Sequence, residues 1–566
     1  MFKLTNYIRN NKSLLNKINN KYYCTTTTNA INKKKILITT PIFYVNGPPH
    51  IGHLYTALLG DAFARWNRFK GNDTYFMTGT DEHGMKVDEA AKKKGLKTID
   101  YCDSISNRFK ELFKLSEIQY DDFIRTTEPR HRDAVTAMWN RLLEKGYIYK
   151  GVYKGWYCTS DESFLTDDQV MEGMSPITPN NPVSKKCMVS KESGHEVTWV
   201  EEENYMFKLS EFASKVENWI QDLNPIFPAT HTKQLLAMIS QGVRDLSISR
   251  PSSRITWGIP VPNDPSQTIY VWLDALTNYL TVTGYPKVDP NDPSSYWSNT
   301  HHIIGKDIIK FHCLYWPSFL MAAEYPVQKG VLCHAHWTVN REKMSKSRGN
   351  VVDPFESIQN YGLEVIRYFL LKGGGLEDDG DWSDHEISVR LKADLADTYG
   401  NLLSRCTGKP LHPSGHWPKS VNLDESSTLL TEKDIQLLNH CKKLINGATV
   451  NFDKGDFKNG IYEILAFLYD CNGYIQEQKP WTLAPKPNRP NADPVRLNTI
   501  MYIALEMIRI ASLLLLPVIP SSATLALNQL DIPLDQRNHQ NLKLGYDYFS
   551  RENNQIPQNS LILFKK

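Results

Sequence analysis

The sequence predicts an α/β nucleotide-binding domain split by an insertion and followed by an α-helical domain. Three observations carry this. Within the first 80 residues two short β-branched runs flank a stretch of helical periodicity. Further strand candidates come only beyond residue 269, after a stretch rich in Gly, Pro, Asn and Glu at 151–228. After Trp382 strand signals nearly vanish and helical periodicity takes over.

The run ILITT at 36–40 reads as a buried strand, ended by Pro41 and followed by the loop NGPP at 46–49. From Ile51 the pattern turns helical: Leu54, Leu58, Ala62 and Trp66 recur every four residues, and Gly71 supplies a stop. TYFMT at 74–78 is a second strand, ending at Gly79, Thr80 and Asp81. Strand, helix and parallel strand in succession is the Rossmann-type arrangement. Strands are expected again at 270–273 (YVWL), 302–304 (HII) and 331–333 (VLC). Helices are expected at 391–405, 431–445, 457–478 and 494–516, and no internal repeat is visible.

The 566 residues are enough for three to five domains. With 41% hydrophobic and 22% charged residues the composition is that of a globular protein and excludes a collagen, a coiled-coil rod and a disulfide miniprotein. The most apolar stretch, 500–519, is interrupted by Glu506, Arg509 and Pro517, so a buried helix is expected and no membrane association. Nine Cys, an odd number without a C-x-x-C pair, suggest reduced thiols. The net charge is +3, but the first 35 residues hold eight Lys and Arg and no acid, which leaves the remainder at −5. Any nucleic-acid surface must therefore be a local patch. Residues 1–35 have the basic, hydroxyl-bearing, amphipathic character of a mitochondrial targeting segment, with removal expected between about Asn19 and Lys35. The alternative is a disordered Asn- and Lys-rich tail.

Two motifs carry chemistry. His50-Ile51-Gly52-His53 opens a helix, where a helix N-terminus, two imidazoles and a Gly for close approach suit an anion. Lys343-Met344-Ser345-Lys346-Ser347, followed by Arg348-Gly349-Asn350, offers two ammonium groups and two hydroxyls to a departing polyphosphate. In this order, on opposite sides of a split α/β domain, they resemble the HIGH and KMSKS signatures of class I aminoacyl-tRNA synthetases. PIFYVNG at 41–47, TDEHG at 80–84, VWLDAL at 271–276 and IGKDIIKFH at 304–312 are similar to methionyl-tRNA synthetases over about 36–481. The insertion is too short for the editing domain of the leucyl, isoleucyl and valyl enzymes, and no Cys stands near the first motif to hold the zinc of a cysteinyl enzyme. A synthetase-derived RNA-binding protein is disfavoured by intact His50, His53, Asp81, Asp307, Lys343 and Lys346.

The resemblance implies a methionine—tRNA ligase that uses ATP, Mg²⁺ and L-methionine to charge tRNA(Met) in the mitochondrial matrix. It implies His50, His53, Lys343 and Lys346 as catalytic residues, and Gly52, Gly305 and Asp307 beside them at ATP. Asp81 would receive the methionine ammonium, a charge-assisted pairing. Ile42, Tyr44, Trp272, Ala275, Leu276, Tyr279, Phe311, His312 and Trp316 would line the methionine pocket, where aromatic walls suit a thioether. Leu276 departs from the Pro often found there. Arg250 would organise the amino-acid end, and Asn401, Arg405 and Trp481 would read the anticodon by edge contacts and stacking. Zinc is not expected: Cys158, Asp161, Cys187 and His195 lack the paired spacing of a knuckle. The implied division is a targeting segment at 1–35, a catalytic domain at 36–150 and 231–340 split by a connective insertion at 151–230, a KMSKS and stem-contact region at 341–388, and a helical anticodon-binding domain at 389–566. A monomer is expected.

Overall fold

The structure, a computed structural model, describes residues 33–158, 163–165, 167–174, 185–191, 193–344, 349–412, 414–485, 492–545, 554–557 and 561–565. The chain divides into two units, Met1–Lys34 and Lys35–Lys566, and every element named belongs to the second. The expected targeting segment lies almost wholly outside the described residues.

Six parallel strands form the central sheet: β1 (Lys35–Tyr44), β2 (Asp73–Asp81), β3 (Asp122–Arg125), β4 (Ile226–Phe227), β5 (Thr300–Gly305) and β6 (Gly330–His334). Their spatial order is β3-β2-β1-β5-β6-β4. Parallel strands covered on both faces read as continuous apolar runs, and successive side chains enter opposite cores. Ile36, Ile38, Phe76 and Ile303 join one core, while Leu37, Met77 and Ile304 join the other. The strand expected at 36–40 does not end at Pro41 but continues to Tyr44. The register shifts between Thr39 and Ile42, and such an irregularity is where a strand accommodates a residue without an N–H.

The first crossover is helix α1 (Ile51–Phe69), with Leu54, Leu58, Ala62 and Trp66 buried. It is apolar almost all round because the sheet lies on one side and the C-terminal helices on the other. Trp66 packs edge-on against Phe452 and donates to Asp453 at 2.7 Å. Between β3 and β4 the chain builds a separate antiparallel sheet whose long strands, Ile148–Cys158 and Thr198–Phe207, pair along their length.

The strand expected at 270–273 is a helix, α2 (Val271–Thr281). Tyr270 is its extended N-cap residue, so the β-branched and aromatic start misleads. Leu273, Leu276 and Leu280 continue the pattern at helical spacing, and the short window at 270–273 hides it.

The helical region has α3 (Glu432–Asp453), α4 (Phe457–Gln478) and α5 (Pro494–Leu515) close to the expected positions. The expected helix at 391–405 lies in one helical run, Asp384–Arg390 continuing through the π-wound Leu391–Gly400 to Asn401–Cys406. α5 is long and apolar enough to cross a membrane, yet 94% of its most apolar window is buried inside the protein. Its Arg509 lies in a bidentate pair with Glu506, both N–O distances 3.0 Å, which satisfies the two charges in the core. Buried Arg367 ties the helical region to α1: it bonds Asp61 at 2.7 Å and the carbonyls of Pro517, Val518 and Ser116.

Candidate active site

A cavity of about 520 Å³ opens at the carboxyl ends of β1, β2, β5 and β6. Ligands of open parallel sheets sit there, at the point where strand order reverses, which here is between β1 and β5.

One corner is the start of α1. His50 is its N-cap, and its Nδ1 accepts from the Gly52 N–H at 3.1 Å. The His53 Nδ1 accepts reciprocally from the His50 N–H, also at 3.1 Å. This is a capping box made of two imidazoles, stacked with centroids 3.7 Å apart. An Nδ1 that accepts leaves the ring proton on Nε2. Both rings line the cavity at a helix N-terminus, a place that suits an anion. A Cβ on Gly52 would stand 3.0 Å from the His50 ring.

Asp81, the last residue of β2, lines the cavity opposite Tyr44 of β1. Beyond it Ile42, Tyr44, Trp272, Ala275, Leu276, Tyr279 and His312 form a largely apolar wall. His312 sits on a π-helical turn, Phe311–Tyr315, and donates from Nδ1 to the Ile308 carbonyl at 3.0 Å. Its Nε2 is thereby an acceptor for the Tyr279 hydroxyl at 2.8 Å. Burial lowers His312 to about 4, so the ring is neutral near neutral pH. Burial pushes the Tyr279 phenol upward, so it keeps its proton.

Three sequence-predicted residues stand behind this wall rather than in it. Phe311 stacks on Trp272 at 3.5 Å and 7°. Trp316 packs against Tyr279 and Trp297. Arg250 is buried in a small sheet, bonded to the Ser247 and Ser249 carbonyls, with its guanidinium 4.4 Å from the Tyr270 ring at the entry to α2.

The third corner is Gly305 and Asp307, after β5. A Cβ on Gly305 would come 2.7 Å from Asp307 Oδ1 and would push that carboxylate aside. His336 Nε2 donates to Asp307 at 3.0 Å. Desolvation works to raise the Asp307 carboxyl, and His336 overcomes it, leaving the group below the ordinary carboxylate range. Sequence reasoning missed His336, together with Lys86, His334 and Trp337 in the wall. The signal was present, because HAHW at 334–337 ends and follows a predicted parallel strand. Lys343 and Met344 also line the cavity, while Lys346 falls outside the described residues.

Far from the cavity, Asn401 and Arg405 lie four apart on one helix, and the Arg405 guanidinium is 5.7 Å from the Trp481 ring. Trp481 is 39% exposed. In the insertion Cys158 is buried with Val170 and Val197, Cys187 belongs to the strand Lys186–Ser190, and His195 is exposed. Asp161 lies outside the described residues.

The family described as tRNA synthetases class I (M) matches residues 36–407, and the anticodon binding domain of methionyl tRNA ligase matches 425–545. The chain belongs to the class I methionyl-tRNA synthetases. It is 71% identical to the probable mitochondrial methionine—tRNA ligase of Dictyostelium discoideum, over 96% of this chain and 95% of that one. Identity to the human mitochondrial methionine—tRNA ligase is 41%, over 95% and 90%. Among methionyl-tRNA synthetases of known structure, the Mycobacterium tuberculosis protein in complex with methionyl-adenylate superimposes with a TM-score of 0.83 at 34% identity, covering 94% of this chain and all of that one.

Proposed function

We propose that the enzyme joins L-methionine to ATP, forming methionyl-adenylate and pyrophosphate, and passes the methionyl group to the terminal ribose of tRNA(Met) in the mitochondrial matrix. One observation carries the reading: a single cavity sets Asp81, an aromatic wall and two donor imidazoles around one open space.

Asp81 holds the ammonium, and the wall from Ile42 to His312 encloses the thioether. The methionine carboxylate is thereby aimed at the α-phosphate, and its oxygen displaces pyrophosphate in line. Mg²⁺ enters on the ATP phosphates as part of the substrate. The Nε2–H groups of His50 and His53, with the ammonium groups of Lys343 and Lys346, meet charge that grows on the phosphate oxygens. No acid–base step is required, so the residues act by positioning and electrostatics. Asp307 accepts from the ATP ribose. A ribose hydroxyl of the tRNA then attacks the adenylate carbonyl and AMP departs. One chain carries both the cavity and the anticodon residues Asn401, Arg405 and Trp481, which supports action as a monomer. An insertion without zinc is part of this reading; stoichiometric zinc in the purified protein overturns that part.

The test is methionine-dependent ATP–pyrophosphate exchange, followed by charging of tRNA(Met). Exchange that ignores methionine, or none in folded protein, overturns the reading. Lys346→Ala should slow adenylation about 100-fold, with little change in methionine affinity.

A further inference from the structure

Asp274 lies on α2, turned away from the cavity, and its carboxylate is fully buried. Its two oxygens are each bonded to an imidazole from a different segment. His83 Nδ1 lies 2.6 Å from Oδ2, and His131 Nε2 lies 2.8 Å from Oδ1. His83 is 2% exposed and His131 0%. His131 Nδ1 also meets the Thr281 hydroxyl at 3.0 Å, two turns further along α2. Burial alone would raise the Asp274 carboxyl, but His83 and His131 hold it at about 2.

What these three segments carry gives the cluster its meaning. α2 supplies Trp272, Ala275, Leu276 and Tyr279 to the cavity wall. His83 follows Asp81 by two residues, at the end of β2. The intervening Glu82 is pinned by Arg125, at 2.7 and 3.0 Å, and by the Trp257 indole on its carbonyl. The loop therefore has no slack between Asp81 and His83. His131 lies in the helix Pro129–Glu144, in the same half of the split domain as Asp81. Asp274 thus links the two halves at the amino-acid pocket.

We propose that Asp274, through His83 and His131, is a positioning residue that fixes the separation between Asp81 and the α2 wall, and so sets the length of amino acid the pocket accepts. The proposal rests on the reading of this cavity as the methionine site. A pocket whose length is held can distinguish methionine from homocysteine, whose chain ends in a thiol one methyl short. A pocket free to contract by an ångström forfeits that difference. No step of adenylation passes through the cluster.

The experiment compares the parent with Asp274→Asn and Thr281→Val in pyrophosphate exchange, with methionine, homocysteine and ATP varied separately. Methionine-dependent exchange by the parent tests the reading on which this rests; the variants test the clamp. In Asp274→Asn, KM for methionine should rise roughly tenfold and the preference for methionine over homocysteine should fall by a similar factor, with KM for ATP unchanged. Thr281→Val keeps the charge and should show a smaller change in the same direction, and it carries the test alone where Asp274→Asn does not fold. A folded variant with lowered thermal stability and an unchanged methionine to homocysteine ratio overturns the proposal, because the cluster would then be structural only. Equal changes in KM for methionine and ATP also overturn it.

Discussion

At the scale of single residues the cavity sets two carboxylates, Asp81 and Asp307, among imidazoles, apolar side chains and the cations Lys86 and Lys343. Asp81 is the sharpest case. Asp81→Ala should lower kcat/KM for methionine by roughly 10- to 150-fold, the worth of a hydrogen bond between charged groups, while KM for ATP changes little. Steady-state exchange measures both, and a parallel loss for ATP would move Asp81 out of the amino-acid site. His312 and His334 carry a second prediction. Burial lowers each to about 4, against about 6.5 in an unfolded chain. Between these values the unfolded state binds more protons, so stability rises with pH and is lost as pH falls below about 6.5. From pH 7.5 to 5.5 the pair should cost about 3 kcal/mol, read as a falling thermal midpoint. His334→Gln should remove about half of that slope; an unchanged slope would assign it to other groups. Much of this site was legible in the sequence because His50, Gly52, His53, Asp81 and Asp307 stand in runs whose order is distinctive. His336 was missed although the HAHW run follows a strand, because its role comes from the bond to Asp307, 29 residues earlier in the chain.

At the scale of elements, turns decide what a side chain can reach. Lys479 ends α4 in the left-handed region, at φ 45°, and Pro480 starts a new short helix. That corner carries Trp481 to Arg405, two segments apart in sequence and adjacent in space. Trp481→Ala should weaken tRNA recognition by about 1–3 kcal/mol through lost base stacking, leaving adenylation near normal. Aminoacylation against pyrophosphate exchange separates the two, and an equal loss in both would make Trp481 structural. The same scale explains which elements could be read in advance. β1 and α1 were visible because each is long enough to show its own period, and α4 because its 22 residues give several turns of evidence. The start of α2 was misread because four residues carry no period, and only tertiary packing of Leu273, Leu276 and Leu280 distinguishes helix from strand there. The continuation of β1 past Pro41 was hidden for a related reason: the register shift that tolerates proline is set by β2, not by local sequence.

At the scale of the whole molecule, charge is distributed by segment. Eight cations in residues 1–35 precede a remainder at −5. A potential that is negative inside draws positive charge inward by about 2.3 kcal/mol per charge per 100 mV. Residues 1–35 fused to a fluorescent protein should therefore direct it into mitochondria; a cytosolic fusion together with an uncleaved Met1 in the native enzyme would leave only an ordinary tail. The split sheet bears on how such a chain comes to exist at all. β1 is central, and the Thr39 to His302 bond that locks it to β5 spans 263 residues of sequence. Until residues 300–305 are present beside it, that side of β1 has no partner strand. During that interval β1 presents an unpaired apolar edge, the feature that recruits other chains into aggregates. A chain truncated before residue 300 should therefore be held by chaperones, and one that extends past residue 334 should not.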